Sequence, residues 1–257
     1  MRATVLRLPS LLLLCAATLA MPAARAQEVD LEALAMLEAA DQVRFPRSDF
    51  EVNVRISSTT PGGETEVRDY QILSKGNENT LVITTAPASE RGQVLLMRGR
   101  DLWVYSPRLS QPVRLPLSQR LTGQVANGDL ARANFSGDYN ARVLRDETIQ
   151  KRKYAVLELT AIDGSVTYSR VLLWVERSGN QPLKAEFYAL SGRLLKTAQY
   201  LNYAKLDNTV RPTQLVMEDA VKRGDRSVLD YSAMKPRELP NKLFNKDYMK
   251  RVTQGID

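Results

Sequence analysis

The 257-residue chain contains no histidine and one cysteine, Cys15, and these two shortages exclude more chemistry than any motif in it suggests. Histidine is the usual general base near neutral pH and the commonest metal ligand. Without it, Ser-His-Asp and Cys-His catalysis and histidine-zinc sites are closed. Cys15 falls in a leader expected to be removed, so neither disulfides nor thiolates can serve the rest of the chain. Paired carboxylates, as in glycoside hydrolysis, remain open, but no Asp or Glu pair is singled out by spacing. A dense basic block of the kind that grips nucleic acid is also missing. The composition therefore predicts a non-enzymatic protein with no cofactor, no metal and no nucleic-acid partner.

The leader has three parts. Arg2 and Arg7 precede the apolar run Leu11–Ala20, and Ala24-Arg25-Ala26 supplies a small-residue exit. This is the pattern of a secretory signal peptide over residues 1–26, with cleavage after Ala26. The run is about half of the roughly 20 apolar residues a bilayer span needs. Acylation at Cys15 is disfavoured because Leu14 stands where such a site wants a small side chain. The whole chain carries 36 Lys and Arg against 29 Asp and Glu. Loss of Arg2, Arg7 and Arg25 leaves 33 against 29, an excess of four, which suits solubility or a weak attraction to anionic headgroups. Residues 27–257 are long enough for one domain with a sizeable core.

Ala33, Met36, Leu37, Ala40 and Val43 recur at helical spacing, with Glu32, Glu38 and Asp41 placed on the other side. One amphipathic helix is expected from an Asp30 N-cap to a stop at Pro46. The period then becomes two: Phe50, Val52, Val54 and Ile56 alternate with polar residues, and Pro61-Gly62-Gly63 turns the chain back. Similar segments follow at 80–86, 93–98, 101–105, 141–149, 154–161, 167–176, 182–190, 193–203, 213–219 and 226–233, separated by Gly-, Asn- and Asp-containing turns. Strands at this spacing without alternating helices predict a mainly β fold, an antiparallel meander that curls into a barrel or deep sheet. Two stretches break the pattern. Ser106 to Asp138 reads as a long connection with a helical turn near Leu121 or Leu130, and the tail from Pro236 reads as a short covering helix or edge strand.

Val94-Leu95-Leu96-Met97 and Val171-Leu172-Leu173-Trp174-Val175 are apolar on both faces, so a second cover is required there from the helix, the long loop or a ligand. In the phrase Gly99-Arg100-Asp101-Leu102-Trp103-Val104-Tyr105-Ser106-Pro107, Trp103 and Tyr105 share a face. A hairpin is expected to set Leu95 and Met97 beside them.

These residues resemble the LolA/LolB-like superfamily, in the subgroup of outer-membrane lipoprotein-sorting proteins. That group carries a similar turn followed by Leu-Trp-x-Tyr-x-Pro, then a Pro- and Arg-containing segment like 107–120 and a Phe-x-x-x-Tyr tail like Phe244 to Tyr248. The resemblance implies a single half-open antiparallel β-barrel, with an N-terminal helix and short helices covering an apolar concave face. It implies a monomeric periplasmic carrier or chaperone that shields acyl chains of lipids or lipoproteins on the way to the outer membrane. An accessory protein of an inner-membrane RND-type exporter, or an envelope-stress regulator acting through protein contacts, is the alternative. The expected ligand-binding residues are Val54, Leu95, Met97, Trp103, Tyr105, Leu172, Trp174, Phe187 and Met217. Arg108, Arg114 and Arg120 are expected headgroup or partner contacts, and Arg55 is a candidate for the arginine that closes the cavity in carriers of known role. Each buried methylene is worth about 0.8 kcal/mol, so such a carrier needs an apolar cavity and no catalytic residue.

Overall fold

The computed structural model describes residues 30–76 and 78–253, so the expected leader and Cys15 lie outside the described residues. Helix α1 (Leu31–Arg44) starts where Asp30 accepts the Ala33 N–H at 2.9 Å and ends before Pro46. The chain then alternates. Strands β1 (Phe50–Thr59), β2 (Glu66–Lys75), β3 (Asn79–Ala86), β4 (Val94–Arg98), β5 (Asp101–Tyr105) and β6 (Val113–Leu115) are followed by a ribbon of β7 (Arg120–Thr122) and β8 (Val125–Ala126). After helix α2 (Asn127–Ala131) come β9 (Tyr139–Ile149), β10 (Arg152–Ala161), β11 (Arg170–Glu176), β12 (Pro182–Tyr188), β13 (Leu194–Leu206), β14 (Thr209–Asp219) and β15 (Arg226–Pro236). A 3-10 turn (Asn241–Phe244) and helix α3 (Lys246–Val252) finish the described chain.

Thirteen strands form one antiparallel sheet, β6-β5-β4-β3-β2-β1-β15-β14-β13-β12-β11-β10-β9. The β1–β15 pairing joins two meanders into a continuous surface, while β6 and β9 stay apart and leave the barrel open. Inner-facing side chains of nearly every strand share one core with α1 and α2, among them Val54, Ile72, Leu157, Leu173, Phe187, Leu215 and Leu229. Two smaller apolar clusters lie on the other face. One is formed by Leu73, Leu81, Leu96 and Tyr105 under the tail residues Leu239, Leu243, Phe244 and Met249, so the tail helix covers the outer face of β2–β5. The other comprises Tyr154, Val156, Leu172 and Trp174 on β10 and β11.

The long connection is more structured than its sequence suggests. Leu130 lies in helix α2, but Leu121 lies in β7 rather than in a helical turn. Gly123 turns the ribbon with φ +48°, and a Cβ there would collide with the side chains of Ser58 and Ser227. Only glycine lets the ribbon sit this close to the sheet.

Candidate ligand cavity

The concave face is closed by α1, α2 and the segment 132–139. Beneath them lies an apolar cavity of about 40 Å³ whose walls include Phe45, Phe135, Tyr168, Phe187, Tyr200 and Met217. That is room for about three waters, at roughly 10–15 Å³ each. A drug-sized ligand takes roughly 300–1,000 Å³. The cavity is therefore filled by the protein's own side chains, chiefly aromatic rings. Phe135 meets Tyr139 edge-on at 5.6 Å, and Tyr168 and Phe187 lie 4.6 Å apart.

Charged groups join these apolar contacts in holding the covering segment. Asp41, on α1 and 1% exposed, accepts the Phe135 N–H at 3.0–3.1 Å and the Ser136 N–H at 2.7 Å. Burial pushes the Asp41 carboxyl above the ordinary range, against the opposite pull of Arg44 and these amides. Arg44, one turn later, sits 3.4 Å from Asp41 and lays its guanidinium 4.2 Å from the centre of the Phe135 ring. Asp138 accepts from Arg100 at 3.0 Å and from Arg132 at 2.7 Å, which ties the segment to the β4–β5 turn. Asp129 of α2 accepts from Lys196 Nζ at 2.6 Å and from the Tyr168 hydroxyl at 2.8 Å. Burial pulls the Lys196 ammonium below its ordinary value although Asp129 supports the charge, and burial with the nearby Asp129 raises the Tyr168 phenol. From the sheet side, Arg211 of β14 donates to the carbonyls of Gln42 and Val43 and so caps the C-terminal end of α1.

Arg132 and Asn134 line both the closed cavity and an open polar groove of about 670 Å³ on its other side. The covering segment is thus a thin partition between an apolar interior and water. Among the described residues no group of three or more His, Cys, Asp or Glu could hold a metal ion.

The expected ligand-binding residues separate by face. Val54, Leu95, Met97, Phe187 and Met217 belong to the inner core, and of these Phe187 and Met217 line the cavity. Trp103, Tyr105, Leu172 and Trp174 point outward. Here the expected hairpin is corrected: the register pairs Leu96 with Trp103 and Val94 with Tyr105, so Leu95 and Met97 lie on the opposite face from the aromatic pair. Trp103 packs against the tail, with Lys246 Nζ 5.1 Å from its ring. Trp174 donates Nε1–H to Glu147 at 2.8 Å and is covered by Lys184 at 4.1 Å. The three loop arginines do not converge. Arg114 pairs with Asp101, Arg108 lies in the exposed turn after β5, and Arg120 lines a cleft near Lys196.

Arg55 cannot close the cavity, because it is exposed and makes a two-point contact with Asp69 at 2.7 and 2.9 Å. Arg44 instead lies inside, with its guanidinium over the Phe135 ring. Its spacing gave a signal, since it stands four residues after Ala40 and seven after Leu37, on the buried face. Asp41 was expected in solvent and is corrected to the core, where backbone amides from a segment 94 residues away compensate its charge. No sequence signal marks those partners.

Comparison with known proteins supplies the remaining finding. A family profile described as an uncharacterized protein matches residues 76–251. No curated protein matches the chain. Among solved structures, a LolA superfamily protein from Nitrosomonas europaea is 60% identical, with a TM-score of 0.81, over 84% of this chain and 98% of that one. A DUF1329 family protein from Desulfovibrio piger (23% identity, TM-score 0.73, 84% and 97% covered) shares the fold. So does the domain of a putative outer membrane lipoprotein-sorting protein from Vibrio parahaemolyticus (23%, 0.72, 86% and 99%).

Proposed function

The chain belongs to the LolA superfamily, and from that premise we propose that it is a periplasmic carrier that shields the acyl chains of lipids or lipoproteins and works as a monomer. The observation that carries this reading is the pairing of an apolar, aromatic-lined interior with a cover held by directional ionic contacts. A permanent core gains nothing from such a cover, because a buried ion pair contributes little net stability over apolar packing. A reversible cover does gain, since a few polar exchanges with water release it, and lifting Phe135 would join the cavity to the 670 Å³ groove. An entering hydrocarbon tail would replace the aromatic contacts that Phe135 gives up, at about 0.8 kcal/mol per methylene.

Both tryptophans face outward and are poor reporters of filling. A Phe135→Trp variant places a reporter at the cavity. Addition of a neutral amphiphile such as monolauroylglycerol is expected to shift its emission and to deprotect the 132–138 amides in hydrogen exchange. Protein purified from cells is expected to carry extractable lipid. No bound lipid together with no response to the amphiphile would defeat the proposal.

A further inference from the structure

A second cleft, of about 330 Å³, opens between the β7–β8 ribbon, the start of β13 and the end of β14. Its walls carry four cations, Arg120, Arg193, Lys196 and Lys222, against one carboxylate, Asp219. Lys196 is buried and committed to Asp129 and to the Gln124 carbonyl, each at 2.6 Å. Asp219 uses one oxygen on the backbone amides of Val221 and Lys222, at 2.7 and 2.8 Å. Arg120, Arg193 and Lys222 are exposed, and none has an ion-pair partner among the described residues. Several arginines elsewhere on or beside the sheet are neutralised, as in Arg55–Asp69, Arg142–Glu158 and Arg177–Asp146. Asp219 offsets part of the charge of Arg120 and Lys222, but three cations against one carboxylate still repel one another, and a bound anion would relieve that repulsion.

The cleft adjoins the interior. Tyr168 forms part of its wall and part of the wall of the closed cavity, so this ring and the Lys196–Asp129 pair it meets stand between the two. On the reading that the cavity takes acyl chains, the geometry points to this cleft as a headgroup site for lipids that carry a net negative phosphate. Arg120 and Arg193 offer planar donor pairs suited to two phosphate oxygens, and Lys222 adds a point charge. Free phosphate shares this chemistry, and the test separates the two sources.

Titration calorimetry on the mature protein would use dihexanoyl phosphatidylglycerol, dihexanoyl phosphatidylcholine, monolauroylglycerol and inorganic phosphate. The phosphatidylglycerol is expected to bind roughly tenfold tighter than the phosphatidylcholine. The triple variant Arg120→Ser, Arg193→Ser, Lys222→Ser is expected to erase that preference and leave monolauroylglycerol binding unchanged. The single variant Arg193→Ser repeats the test should the triple one not fold. Equal affinity for the two phospholipids, or a preference that survives the substitutions, overturns the headgroup site. Variant-sensitive binding of inorganic phosphate without a phosphatidylglycerol preference assigns the cleft to free phosphate and overturns the lipid source. Failure of every acyl probe, monolauroylglycerol included, instead strikes the carrier reading itself.

Discussion

Two segments cover the sheet, one on each face, and they are held by different forces. The tail lays Leu239, Leu243, Phe244, Met249 and Val252 on Leu73, Leu81 and Leu96, all buried. Only a few polar contacts tie its edge, among them Lys75 donating to the Leu239 carbonyl at 2.6 Å. In the inner cover, the part from α2 to residue 138 adds Leu130, Ala131 and Phe135 to the core beside the α1 residues Ala33, Met36, Leu37 and Ala40, and depends on Asp41, Asp129 and Asp138 for its position. Apolar contact is non-directional and grows with area, so the tail is a permanent wall. Buried charges are directional and need every partner in place, so the inner cover has a defined closed position and few contacts to hold it once a partner is lost.

Substitutions on the two covers should separate these roles. Phe244→Ala is expected to cost about 3–5 kcal/mol in urea denaturation through loss of apolar contact and a residual cavity. Binding of a neutral amphiphile by the folded fraction should be unchanged; a changed affinity would mean that the tail is also part of the gate. Lys196→Met removes the partner of Asp129 and should cost about 3 kcal/mol. Exchange of the 126–131 amides should rise most, and uniform loosening of the whole sheet would contradict a local latch.

Asp41→Asn is expected to cost about 2 kcal/mol at neutral pH, since it leaves Arg44 unpaired and weakens the bonds to Phe135 and Ser136. It should speed amphiphile uptake. The pH dependence has a definite sign. The folded-state pKa of Asp41 is raised, so the folded protein holds a proton at pH values where the unfolded chain has released it. The stability tied to this group is fully present below the ordinary value of 3.8 and declines as pH rises through the raised value. The Asn variant should lack that decline, and an identical profile in wild type and variant would rule out Asp41 as its source.

The smallest effect is expected on the third apolar patch, where Trp174 has only neighbouring side chains for cover. Its indole N–H lowers the pKa of Glu147, with burial opposing and Arg145 adding support. The contribution is therefore present above the ordinary carboxylate value and lost as pH falls through the lowered one. Trp174 emission should titrate there in wild type and not in Glu147→Gln, with a stability difference under about 1 kcal/mol. A pH-independent Trp174 signal in wild type would mean that the bond to Glu147 is not made in solution.

Much of the fold was legible because alternation is local. The segment Asp101–Tyr105 ends where it was expected to, and Asp30 caps the helix assigned to it. The second apolar face of Val94–Met97 did need a cover, but it was expected from the helix, the long loop or a ligand and is supplied by the C-terminal tail, because alternation cannot name the partner. The site was less legible. Trp103 and Tyr105 were the most distinctive residues and face away from the cavity, whereas Asp41, Asp129 and Lys196 resembled ordinary surface charges.

The amino-acid order alone determined the absence of histidine chemistry, the mainly β architecture and which residues share a strand face, because composition and a two-residue period need no distant partner. Which face became the interior, and which charges were buried at its gate, was decided only when β1 met β15 and the 132–138 segment met α1. A carboxylate is stable in a core only if donors from elsewhere in the chain arrive to meet it, and those donors are brought together by tertiary contacts alone.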